Sequence, residues 1–120
     1  MEHHPVTIQR FHPTPRLCDM VIHKDTVYLA GQIVDDGSTT VEAQTRDVLR
    51  QIDALLAEAG TSKSNILTAT VYLADIATFP EMNAAWDAWV DKANPPARAT
   101  VEAKLADPSI LVEIVVVAGL

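Results

Sequence analysis

Apolar residues recur along the chain with two different periods, and the alternation between them predicts the elements. In "MVIHKDTVYLA" two short β-rich runs are broken at "HKD", the signature of a hairpin over residues 20–30, closed before Gly31. An additional strand is possible at "VTIQRF", residues 6–11. From Thr39 the period changes to that of a helix: Val41, Thr45, Val48, Leu49, Ile52, Leu55, Leu56 and Ala59 share one stripe, Thr39 and Glu42 form a capping-box pattern, and Gly60 stops the run. The opposite face, Glu42, Arg46, Asp47, Arg50 and Asp53, reads as solvated charge with a Glu42–Arg46 pair. In "NILTATVYLAD" Leu67, Ala69, Val71 and Leu73 alternate with Thr68, Thr70 and Tyr72, a strand with one apolar and one semi-polar face. Thr78 and Glu81 repeat the capping spacing with Pro80 in the first turn, and Met82, Ala85, Trp86 and Trp89 make a second helical stripe. After "KANPPAR", two more strands, "ATVEAKL" and "ILVEIVVVAGL", follow across a turn at "ADPS", and read as a hairpin. The order β-β-α-β-α-β-β implies an α+β sandwich, a mixed sheet with two helices on one face. The other, semi-polar face has to be covered, and another copy of the chain is the simplest cover, so a homo-oligomer is expected.

With 120 residues, the chain has the size of a single domain over 1–120. A net charge of -7 argues against nucleic acid and anionic membrane surfaces as partners, while leaving room for a local basic pocket. One cysteine, Cys18, allows no internal disulfide, and the absence of a long apolar run points to a soluble, cytoplasmic protein.

Candidate chemistry is sparse. His3, His4, His12 and His23 lack metal-ligand spacing, Cys18 reads as a small buried hydrophobe, and "GQIVDDG" lacks the lysine of a phosphate loop. Trp86 and Trp89 read as helix-to-sheet core rather than as a stacking platform. Two charged residues stand out. Arg98 follows a Pro-Pro turn at the start of a strand, where a guanidinium serves either a surface ion pair or a bidentate grip on a carboxylate. Glu113 interrupts a strand of Ile, Leu and Val, a costly position for a carboxylate without a reason; it either pairs with Lys104 across the hairpin, lies at a subunit seam, or serves a site. The expected hairpin lets Arg98 and Glu113 share one end of a cleft.

The segments "YLAGQIV", "EAQTRDVLRQIDALLAEAG", "NILTATVYLADIATFPEMNAAW", "PPARATVEAKL" and "LVEIVVVA" resemble, in order, the RidA family, also called YjgF/YER057c/UK114, and within it a YoaB-like branch. The resemblance implies a chorismate-mutase-like fold, a trimer with clefts between subunits, and hydrolysis of 2-imino or enamine carboxylates such as 2-aminoacrylate to 2-keto acids and ammonia, without a cofactor. It aligns Arg98 with the family's carboxylate-binding arginine and Glu113 with its water-positioning glutamate. Gly31 falls at the backbone position facing the ligand, and Asn83 at the second-helix asparagine. Departures are also plain: Arg16 stands where the active branch has a tyrosine, Ala30 where it has a serine before the glycine, and Thr100 where it has a small Cys or Ser. They imply either a more acidic substrate or the alternative, a non-catalytic trimer that binds a small carboxylate metabolite.

Overall fold

The computed structural model describes residues 7–120. Six strands form one mixed sheet: β1 Ile8–Phe11, β2 Met20–His23, β3 Thr26–Leu29, β4 Ile66–Leu73, β5 Ala97–Glu102 and β6 Val112–Gly119. Their order across the sheet is β1-β2-β3-β6-β4-β5. Helices α1, Val41–Ala59, and α2, Phe79–Trp89, cover one face, as the periodicities imply. Met20, Val27, Val48, Leu49, Ile52, Leu56, Val71, Leu73, Met82, Val112 and Ile114 are almost fully buried between the layers.

The β2–β3 hairpin turns at Lys24-Asp25, with Lys24 in the left-handed region at φ 58. Helix α1 ends as expected at Gly60, whose φ of 85 lets its N–H reach the carbonyl of Ala57. Its start differs: the N-cap is Thr40, whose side chain accepts from the N–H of Ala43, so the Thr39–Glu42 pattern is out of register by one. Glu42 instead pairs with Arg46 at 3.1 Å. At α2 the capping box also fails, because the Thr78 hydroxyl donates to the carbonyl of Asp75 rather than capping the helix, while Pro80 sits in the first turn as read. Leu67 is 54% exposed instead of buried: a register shift between Ile66 and Thr68 turns it off the apolar face.

One correction bears on the site. Strands β5 and β6 are not a hairpin. β4 lies between them, pairing parallel with β5 and antiparallel with β6, and the crossover that a parallel pair requires is made by α2. Lys104 therefore does not face Glu113 across a two-stranded turn.

The face away from the helices carries cross-strand rows. Val21, Tyr28, Val117, Thr68 and Ala97 are in register; next come Val115, Thr70 and Ala99, then Glu113, Tyr72 and Val101. Nothing in the described chain covers these rows, and Tyr28 and Val101 are 45% and 42% exposed. Among the described residues no helix is long and apolar enough to cross a membrane.

Candidate functional site

Arg98 and Glu113 lie on opposite faces of the sheet. Arg98 is in register with Ala69, which is buried under the helices, and Glu113 with Tyr72, on the uncovered face; Ala69 and Tyr72 are three positions apart on β4, an odd number. Strand spacing and rise separate their Cα atoms by roughly 14 Å. The two do not share a cleft within one chain, contrary to the hairpin expectation.

Around Arg98 the site is built by α2. Its Nη1 donates to the Asn83 side-chain carbonyl at 2.9 Å, which unites two of the candidate residues. The guanidinium carbon stands 4.9 Å from the centroid of Trp86 and 5.6 Å from that of Phe79. Partial burial lowers the Arg98 pKa from its ordinary value, and the charge of Asp87 opposes this; an arginine remains charged at any physiological pH. No carboxylate lies within salt-bridge distance of it among the described residues. Thr100 points to the same side of β5 two residues on, and its Oγ1 is buried without a hydrogen-bond partner. Trp86 is core, as read, but it also supplies a face to the arginine; Trp89 is half-buried at the rim of the core.

Glu113 lies against Gly31. A Cβ on Gly31 would come within 2.2 Å of Glu113 Oε2, so the close approach requires glycine although the backbone there is ordinary. The two residues line a cleft of about 420 Å³ together with Leu17, Asp19, Gln32 and Gln51. Its wall includes the carboxylates of Asp19, Asp35 and Glu113 and no basic side chain. Ala30 also lines it, donating its N–H to the carbonyl of Asp19 at 2.8 Å. Arg16 does not line it. It sits on the exposed loop closed by Asp19 N–H to the carbonyl of Phe11 at 3.0 Å, and Leu17, its neighbour, faces the cleft instead.

Three polar residues of α1 organise this half, and the sequence reading missed their roles. Asp47 is not solvated as its helix position implies but buried, and accepts from the N–H of Asp35 at 2.7 Å. Gln51 donates to the carbonyl of Ile33 at 2.8 Å and to Asp47. Gln44 is buried and donates to the carbonyls of Ser38 and Ser109 while accepting from the N–H of Leu111. Their spacing, i, i+3 and i+7, is that of one helix face; a polar file beside an apolar stripe was the signal available. Asp53, also read as solvated, accepts from the Trp89 indole at 2.9 Å.

His12, in the left-handed region at φ 56, is held 2.9 Å from Glu58, which raises its pKa above the ordinary imidazole value. Cys18 is half-buried rather than buried. His3 and His4 lie outside the described residues, and among those described no group of three His, Cys, Asp or Glu could hold a metal ion.

The family model described as Endoribonuclease L-PSP matches residues 7–120. A RutC family protein of Haemophilus influenzae is 51% identical over 117 residues, covering 94% of this chain and 98% of its own. The RutC family protein YoaB of Escherichia coli is 44% identical over 114 residues, covering 95% and 99%. Among solved structures, a member of the YjgF protein family from Neisseria meningitidis superposes with a TM-score of 0.93 at 43% identity, covering 97% of each chain.

Proposed function

Because the chain belongs to the RutC/YjgF family, whose Endoribonuclease L-PSP model spans nearly all of it, we propose that it hydrolyses small 2-imino or enamine carboxylates to 2-keto acids and ammonia. The observation that carries this reading is the division of charge. Among the described residues, one half of the chain presents an arginine with no carboxylate partner, and the other a cleft of carboxylates with no cation. With the uncovered sheet face of one copy set against the exposed β5 edge of the next, the Glu113 half of one would meet the Arg98 half of the other, and a closed ring of three uses every half. The substrate carboxylate would then lie on Arg98 in two parallel charged hydrogen bonds, and the Thr100 hydroxyl would find a partner there.

The reaction needs only groups already present. An enamine first becomes the imine by gaining a proton at its terminal carbon and giving one up from nitrogen to water. Glu113 accepts a proton from water as the water oxygen bonds to the imine carbon and the C=N π pair moves to nitrogen. Return of that proton to nitrogen gives the carbinolamine; Glu113 then passes the hydroxyl proton to the amine, so the C–N bond breaks and ammonia leaves as the carbonyl forms. No cofactor enters, and the reading places the chain in the cytoplasm, where its lone cysteine stays reduced. The endoribonuclease of the family description gains no support here, since a net charge of -7 and a carboxylate-lined cleft both repel RNA. The missing tyrosine at Arg16 favours the second reading, a trimer that binds a carboxylate metabolite without turnover.

The test is complementation between two inactive variants. Arg98→Ala and Glu113→Gln are assayed singly and after co-refolding, with a pyridoxal-phosphate lyase supplying 2-aminoacrylate. Mixed assemblies should regain part of the wild-type rate, because some sites then combine an intact arginine with an intact glutamate. No recovery in mixed oligomers defeats the shared site, and an inactive wild type that still binds pyruvate favours the non-catalytic reading.

A further inference from the structure

Asn83 and, more weakly, the Met82 sulfur at 3.9 Å hold one and the same nitrogen of Arg98, and bonds at one nitrogen leave the guanidinium plane free to turn about it. On the α2 side the guanidinium carbon lies over the Trp86 ring, 4.9 Å from its centroid, and farther from that of Phe79, at 5.6 Å. The Trp86 ring stands 5.4 Å from that of Trp89, inclined by 58°. Trp89 in turn donates its indole N–H to Asp53 of α1 at 2.9 Å and carries the Lys63 ammonium 5.3 Å over its ring. A continuous line of contacts thus runs from α1 through both tryptophans of α2 to the edge strand β5.

We propose that Trp86, backed by Trp89 and Asp53, is a positioning residue that fixes the plane of the Arg98 guanidinium for carboxylate recognition. The inference rests on the reading of Arg98 as the carboxylate anchor. An aromatic face attracts a guanidinium through its quadrupole and takes up no N–H, so the in-plane donors left by Asn83 remain available to a ligand. Asp53 matters because it fixes the Trp89 ring, and a fixed Trp89 limits the tilt of Trp86. Lysine in place of arginine could not use this device, having no plane to set.

Trp86 is also core, so a loss of stability alone says nothing about positioning. The measurements are the Kd of pyruvate by NMR titration, KM and kcat in the lyase-coupled assay, the Arg98 Nε–H signal, and thermal melts. In Trp86→Leu, Kd and KM should rise about tenfold, the order of a desolvated cation–π contact. Turnover at saturation should change less than KM, and the Arg98 signal should shift. Trp86→Phe, which keeps a ring face, should recover most of the affinity. Trp89→Phe and Asp53→Leu, which break the indole hydrogen bond at a distance from the ligand, should each raise Kd by roughly threefold, and they carry the test if Trp86→Leu does not fold. Lower melting temperatures with unchanged Kd in these variants overturn the proposal, whatever the turnover. A wild type that binds pyruvate but hydrolyses no imine overturns the enzyme reading and leaves the positioning chain intact.

Discussion

Replacing Gly31 by alanine isolates the Glu113 carboxylate with the smallest possible change. The new methyl would stand 2.2 Å from Oε2 and 2.9 Å from the carboxyl carbon, against roughly 3.4 Å for an ordinary contact. Glu113 must therefore retreat by about 1 Å, and a displacement of that size at a reacting group can lower kcat/KM by roughly a hundredfold. The fold should tolerate it. Gly31 is exposed, its backbone is not left-handed, and the atoms in conflict are the far end of a flexible side chain. Turning that side chain off its preferred torsion costs about 1 kcal/mol, which in a chain of this length lowers the melting temperature by roughly 4 °C. The assay pairs the lyase-coupled imine decay with a melt and a sedimentation profile. A folded, normally assembled Gly31→Ala protein with wild-type kcat/KM would refute the reasoning, since Glu113 would then act without needing this approach.

Glu113→Gln should assemble and melt like the wild type while losing most of its turnover, because an amide cannot accept the proton of water; wild-type rates would make Glu113 structural. Arg98→Ala should lower kcat/KM by about a hundredfold or more, with Arg98→Lys rescuing little, since two charged hydrogen bonds and their planar geometry are lost; the same imine assay decides. Gln44→Ala orphans the carbonyls of Ser38 and Ser109 and the N–H of Leu111, and should cost about 2–4 kcal/mol in denaturant unfolding. The raised pKa of His12 predicts a pH dependence with a definite sign: its contribution to stability is complete below the unfolded imidazole pKa and is lost as pH rises through the higher folded value. His12→Gln should therefore narrow the difference between melting temperatures at pH 5.5 and 8.5, which parallel melts would measure.

Element types were legible because two periods, 3.6 and 2, are written plainly into this chain, and both helices lie where their stripes imply. What failed was local or nonlocal in origin. Thr39 and Thr40 are chemically equivalent as caps, so the sequence alone does not choose between them, and the fold sets the first turn at Val41. The misread hairpin is of another kind. Strands consecutive in the chain usually pair, but here β4 inserts between β5 and β6, and only the partners across the sheet reveal it. The candidates Arg98 with Asn83 and Gly31 with Glu113 were brought together in pairs. Their union into a cleft within one chain was an artefact of the assumed hairpin, and Arg16, placed by the resemblance where the family has a tyrosine, lies off the Glu113 cleft, which its neighbour Leu17 lines.

The insertion of β4 accounts for the way charge is distributed over the molecule. With β5 at the edge and β6 in the middle of the sheet, the arginine faces the helical layer and the glutamate the uncovered face, so the chain cannot neutralise one with the other. Each half holds like charges or a lone charge in a partly desolvated setting, which is unfavourable in a single chain. The same uncovered face offers Tyr28, Val117, Val115 and Val101 for burial against a second copy. Apolar contact would thus drive the association that the charges by themselves make specific, because a copy docked with two acidic clefts facing each other is penalised and one with arginine toward carboxylates is favoured. Under the proposed assembly, association and recognition would be one event, with an arginine from one copy and a glutamate from the next acting on the same substrate.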